Sequence, residues 1–173
     1  MNLPNKLTLG RIAAVPVFVL LYVKGLVWPA VAVYILASLT DMLDGQIARR
    51  RNLITNFGKI MDPLADKVLV YSAFCLFVGN GVMPAWMLMV ILAREFIVAG
   101  IRNVAAADGK VIAAAMSGKI KTALQMIAVP LLVIRDIHPT IALLAQIFLW
   151  ASLIMTVVSG IEYIYKNKEV FKG

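Results

Sequence analysis

The sequence contains one cysteine, one histidine and nine acidic residues, and no polar or low-complexity stretch long enough for a separate soluble domain. Cys75 stands alone in an apolar run, so a disulfide framework is excluded and the redox compartment is not readable from thiols. His138 sits beside Pro139 in a predicted outer turn, far along the chain from the main cluster of acids, which excludes a Ser-His-Asp triad built on that cluster. Internal repeats are absent. The first apolar stretch, preceded only by Lys6, lacks a small-residue cleavage pattern and reads as a retained helix rather than a signal peptide.

What the chain does have is hydrocarbon. Of its 173 residues 62% are hydrophobic, well above the roughly 45–50% of a soluble domain. The expectation is therefore an all-α integral membrane protein, one domain spanning residues 1–173, with six transmembrane helices. Apolar windows place these at roughly residues 6–24, 28–50, 56–80, 84–107, 118–135 and 140–166, divided by short turn signals. Ser117 reads as the N-cap of the fifth helix. The nine Met and three Trp read as packing and interface residues rather than a cofactor site. The terminal KNKEVFKG reads as a solvated tail drawn to lipid headgroups.

The net charge of +8 invites a nucleic-acid reading, and its distribution argues against one. With a cytoplasmic N-terminus, six spans put both termini inside, and of the 17 Lys and Arg only Lys24 and Arg135 then fall at outer ends. Arg49, Arg50, Arg51 and Lys59 crowd one inner turn, Lys110, Lys119 and Lys121 flank the next, and Lys166, Lys168 and Lys172 close the chain. Basic residues retained on the cytoplasmic side set the orientation of membrane proteins, so this asymmetry accounts for the charge without nucleic acid.

Against that background, four aspartates gather around one short basic turn: Asp41, Asp44, Asp62 and Asp66. One Asp at the centre of a membrane helix costs about 2.5–3.5 kcal/mol, so four would cost on the order of 10 kcal/mol. They belong near the cytoplasmic interface, facing a hydrated cavity. Asp41 and Asp44 lie about 60° apart around a helix, Asp62 and Asp66 about 40°. Antiparallel neighbouring helices let the two pairs face each other. Gly45, Gly58 and the small Ala48 leave room for close approach of backbone or ligand. Four carboxylates so close repel unless divalent cations hold them. An all-oxygen donor set without nearby Cys or His disfavours zinc and favours Mg²⁺ or Mn²⁺, and two such ions suit displacement at phosphorus. The competing readings are an Asp62 N-cap ahead of Pro63, with the third helix starting or bending there, and ion pairs of Asp41 and Asp44 with Arg49 or Arg50.

Written as DxxDGxxAR, eight residues, then GxxxDxxxD, this stretch resembles the complete signature of the CDP-alcohol phosphatidyltransferase family. NLPNKLTLGRI near the N-terminus and the stretch from Ala93 to Ala128 are similar to the phosphatidylglycerophosphate synthases of bacteria, one branch of that family. Beyond about Pro130 the likeness adds little except hydrophobicity. The resemblance implies the six-helix fold of that family, usually homodimeric, in the bacterial inner membrane with its active site open to the cytoplasm. It implies that Asp41, Asp44, Asp62 and Asp66 hold two divalent ions, that Asp66 is the general base, and that Gly45, Ala48, Arg49, Gly58 and Asp41 surround the CDP part of CDP-diacylglycerol. The implied reaction joins sn-glycerol 3-phosphate to that donor and releases CMP.

Cations elsewhere bear on the acceptor. Arg94 and Arg102 are eight residues apart on the predicted fourth helix, and Lys119 and Lys121 begin the fifth; together they can form a pocket for the phosphate of glycerol 3-phosphate. The alternatives are an Arg94–Glu95 ion pair and lysines that merely anchor at the interface, with one of the two lysines turned to solvent. Asn5, Thr8 and Arg11, spaced by three along one helical side, suit contact with the nucleotide or lipid diphosphate, with helix capping by Asn5 as the alternative. A sister enzyme taking inositol phosphate, serine or phosphatidylglycerol is the competing acceptor reading. A cation transporter is the remote one, and the nearly uncharged outer halves of the helices disfavour it.

Overall fold

A computed structural model shows six α-helices and, among the described residues, no strand. It describes the backbone of residues 3–51, 56–107, 109, 112–113 and 115–168, and the side chains of residues 8–40, 64–65, 67–107, 109, 112–113 and 115–168. The helices are α1 (Leu3–Val23), α2 (Val27–Arg51), α3 (Asn56–Gly79), α4 (Ala85–Ala107), α5 (Met116–Val133) and α6 (Pro139–Lys166), with a 3-10 turn at Arg135–Ile137 before α6. Each end lies within a few residues of the boundary expected from the apolar windows.

The punctuation follows from local chemistry. Gly25 and Gly81 adopt φ of 73° and 70°, a conformation costly for side-chain-bearing residues, and each reverses the chain at a helix end. The amide of Leu26 donates to the Leu21 carbonyl at 2.9 Å and that of Val82 to Phe77 at 2.8 Å, satisfying carbonyls that the helix ends would otherwise orphan. Asn80 Nδ2 donates to the Tyr22 hydroxyl at 3.2 Å, joining the two turns. His138 caps α6: its Nδ1 accepts the Thr140 amide at 3.2 Å, with Pro139 at the first helical position.

One expectation and one competing reading are corrected. The N-cap of α5 is the extended Ala115, which lends no side-chain cap, and Ser117 lies inside the first turn, donating instead to Glu162 on α6. Pro63 neither starts nor precedes α3; it falls inside a helix that already begins at Asn56, so Asp62 is not an N-cap.

α5 packs along α6, α1 against α2 and α3, and α4 against α6, with α2 and α3 also reaching α5. The core holds Phe18, Tyr34, Phe74, Phe77, Met87, Ile91, Leu132 and Leu149, all essentially inaccessible. Buried Ala30, Ala73, Ala128 and Ala145 carry so little side chain that neighbouring helices approach closely. On α6 the buried Ser152 and Thr156 hydroxyls each donate back to a carbonyl of their own helix at 2.7 Å, so neither is left unsatisfied.

Large apolar side chains such as Leu20, Leu36, Met89, Phe96 and Ile161 face outward around the molecule. Among the described residues α6 is the one helix long and apolar enough to cross a membrane by length and composition; Thr8–Val23, Val27–Thr40 and Lys67–Gly79 are shorter apolar helical stretches. The apolar run of α4 is interrupted by Arg94, Glu95 and Arg102.

Candidate active site

The signature residues ride on two consecutive helices. The α2 backbone carries Asp41, Asp44, Gly45, Ala48 and Arg49, and the α3 backbone carries Gly58, Asp62 and Asp66. The side-chain environments of all eight, and of Asn5, lie outside the described residues.

One residue beyond Asp66, the described part of the site begins. Glu95, buried on α4, is the centre of an ion network: Lys67 Nζ of α3 lies 2.7 Å from its Oε2, Arg94 Nη1 2.8 Å from its Oε1, and Lys121 of α5 also donates to Oε1. Three cations surrounding one carboxylate tie three helices together. Lys121 is almost wholly buried, at 2% side-chain exposure, whereas the Lys67 side chain is 43% exposed.

Arg94 is fixed from several sides. Its Nε donates to Ser159 Oγ of α6 at 3.1 Å. A Cβ placed on Gly118 would come within 3.1 Å of Arg94 Nη2, and one on Gly160 within 3.1 Å of its Cγ, so two glycines form the slot it occupies. Arg102 forms a separate contact: its Nε donates to the Tyr163 hydroxyl at 3.1 Å and its guanidinium sits 5.6 Å from the centre of that ring.

A small cleft, partly open to solvent, runs beside the network. Arg11 of α1, Ser38 of α2, Lys67 and Tyr71 of α3, and Lys121 and Gln125 of α5 line it. Arg11 is almost fully buried, as is Thr8, one turn before it.

The residues named from sequence thus divide. Arg94 and Lys121 meet at Glu95, and Arg11 shares the cleft with Lys121. Lys119 is exposed and Arg102 pairs with Tyr163, so neither joins that network. The Arg94–Glu95 ion pair is present, together with the neighbouring cations. Sequence reasoning missed Lys67, Gln125 and the organising role of Glu95. The available signals were the adjacency of Lys67 to Asp66 and the four-residue spacing of Gln125 from Lys121, which puts both on one helical side.

Comparison with known proteins supplies the family. Residues 1–158 match the profile of CDP-alcohol phosphatidyltransferase. The chain belongs to the CDP-alcohol phosphatidyltransferase family. Its relatives in that family include the CDP-diacylglycerol–glycerol-3-phosphate 3-phosphatidyltransferase of Bacillus subtilis (strain 168), 44% identical over 99% of this chain and 97% of the relative. The protein of the same name from Rickettsia bellii (strain RML369-C) is 38% identical over 98% and 97%, and that of Sodalis glossinidius (strain morsitans) 35% identical over 95% and 94%. Phosphatidyltransferase family membership thus covers nearly the whole chain, including both the signature and the Glu95 network.

Proposed function

We propose that this chain transfers the phosphatidyl group of CDP-diacylglycerol to sn-glycerol 3-phosphate, giving phosphatidylglycerol phosphate and CMP. The observation that carries the reading is near full-length similarity to relatives bearing that name, 44% identical for the Bacillus subtilis protein. The cationic cleft beside Glu95 supports the acceptor, because a phosphomonoester carries close to two negative charges at neutral pH.

Asp41, Asp44, Asp62 and Asp66 are proposed to hold two divalent ions, Mg²⁺ or Mn²⁺. The donor set fits: the four residues offer hard carboxylate oxygens at helical spacings of three and four, while Cys75 lies further along α3 and His138 caps α6. Such ions, when bound, supply neutralisation of the diphosphate. Asp66 accepts the proton of the acceptor hydroxyl as its oxygen attacks the lipid-side phosphorus. The new phosphorus–oxygen bond forms as the bond to CMP breaks, and CMP leaves with that electron pair. Gly45, Ala48, Arg49 and Gly58, with Asn5, Thr8 and Arg11, contact the donor.

The same reading makes the chain a homodimeric bacterial inner-membrane enzyme with all six helices spanning, and both termini and the site cytoplasmic. The outward-facing apolar side chains and the apolar α6 support it. Purified protein incubated with CDP-diacylglycerol and a panel of acceptors tests the assignment. CMP release is expected with sn-glycerol 3-phosphate. Release with inositol phosphate, serine or phosphatidylglycerol, and none with glycerol 3-phosphate, replaces it with the sister activity.

A further inference from the structure

The cations around Glu95 are not equivalent, and the difference singles out a residue absent from the signature. Arg94 is committed to protein. Two of its nitrogens already donate, to Ser159 and to Glu95, its side chain runs past Gly160 at Cγ and Gly118 at the guanidinium, and it does not line the cleft. Lys67 and Lys121 do line it. Each sends its ammonium to a different oxygen of the same carboxylate, so Glu95 sets the two side by side at one wall. An ammonium has three N–H donors, and the bond to Glu95 uses one of them on each lysine. Lys67 is also the more accessible of the two.

Charge points the same way. Lys67, Arg94 and Lys121 against Glu95 leave an excess of two positive charges in the network, and Arg11 adds a further cation to the cleft, a surplus suited to a phosphomonoester dianion. Among the described residues lining the cleft there is no acid.

We propose that Lys67 is a ligand of the acceptor's phosphate, paired with Lys121, and that Glu95 is the positioning residue that holds both ammonium groups at the cleft. This deepens the reaction proposed above and rests on it. Lys67 follows Asp66 directly in α3, so the same helical turn then carries the group that takes the hydroxyl proton and a group that holds the far end of the acceptor. Glycerol 3-phosphate would be gripped at its phosphate while its free hydroxyl is presented for attack.

The experiment is steady-state CMP release with purified protein in detergent–lipid micelles, varying each substrate in turn, with inorganic phosphate as competitor. Lys67→Met is the first variant, because a half-exposed side chain can be removed with little effect on folding; gel filtration and thermal unfolding check this. The expected result is a rise in KM for glycerol 3-phosphate of about ten- to a hundredfold, as for loss of one charge-assisted hydrogen bond. Inhibition by inorganic phosphate weakens in parallel, KM for CDP-diacylglycerol stays within twofold, and Lys67→Arg recovers most of the loss. Glu95→Asp, which keeps the charge but withdraws it by one methylene, should raise the same KM by a smaller factor with little change in kcat. A Lys67→Met enzyme with unchanged KM for glycerol 3-phosphate, or with the loss falling on CDP-diacylglycerol, overturns the assignment of Lys67. A lowered KM in Glu95→Asp would mean that Glu95 competes with the phosphate and overturns its positioning role. Failure of the wild-type protein to use glycerol 3-phosphate is a different result, and counts against the proposed function itself.

Discussion

Lys67 and Lys121 are joined through the two oxygens of Glu95, so a residue adjacent to Asp66 in α3 is tied to the first turns of α5 by one carboxylate on α4. This arrangement makes Glu95 the most consequential single charge among the described residues. Glu95→Ala would leave the buried Lys121 and the enclosed Arg94 without their counter-ion. Removing one partner from a buried ion pair costs about 3–5 kcal/mol, whereas Lys67→Ala, at a half-exposed site, should cost under about 1 kcal/mol. Thermal unfolding in detergent should therefore separate the two variants widely. Equal midpoints would mean that the network does not hold α3, α4 and α5 together.

The chemistry of the signature gives a second test. Asp66→Asn keeps the size of the side chain and removes its ability to take a proton, so CMP release should fall by at least about 100-fold while CDP-diacylglycerol binding largely survives. Turnover close to wild type would remove Asp66 as the base. In the same assay EDTA should stop the wild-type reaction and either Mg²⁺ or Mn²⁺ restore it; activity that persists through chelation would remove the divalent ions from the proposed site.

His138 gives a prediction of the opposite kind. As the N-cap of α6 it holds the Thr140 amide and stands at the end of that helix remote from Ser159 and Tyr163, which contact Arg94 and Arg102. His138→Ala should cost about 0.5–2 kcal/mol of stability, the range for loss of a helix cap. CMP release should remain within twofold of wild type. A large loss of turnover with unchanged stability would show a catalytic part for the imidazole.

Much of the fold was legible because each helix is written twice, once as an apolar run and once as a turn signal at its end. Gly25 and Gly81 mark their turns by a backbone conformation that few other residues accept, and Pro139 marks the first position of α6. The exchange of Ser117 for Ala115 as the cap of α5 shows where such local reading fails. A hydroxyl that could cap its own helix goes instead to Glu162, on an element 45 residues away. Pro63 is the second case, since the helix already runs from Asn56, as the apolar window expected, through a residue that local rules could place at its start.

The site was legible to a similar depth. The spacing of Lys119 and Lys121, two residues apart on a helix, required that they face different ways, and one is exposed while the other is buried. The pairing of Arg94 with Glu95 could be guessed from adjacency. That Glu95 also receives Lys67 and Lys121 depends on how α3, α4 and α5 meet, and no window of sequence contains that information. The same holds for Arg102, whose partner Tyr163 lies 61 residues further on.

The charges of α4 bear on how the protein is made. With all six helices spanning, as proposed, α4 emerges from the ribosome carrying Arg94, Glu95 and Arg102, and insertion of such a segment alone is unfavourable by several kcal/mol. Of the groups that neutralise or embrace those charges, Lys67 precedes α4 and Arg94 and Glu95 pair within it, whereas Lys121, Ser159 and Tyr163 are synthesised later. The fourth helix would then enter with its carboxylate already met by Lys67 and Arg94, and the surroundings of its two arginines would be completed only when the fifth and sixth helices arrive.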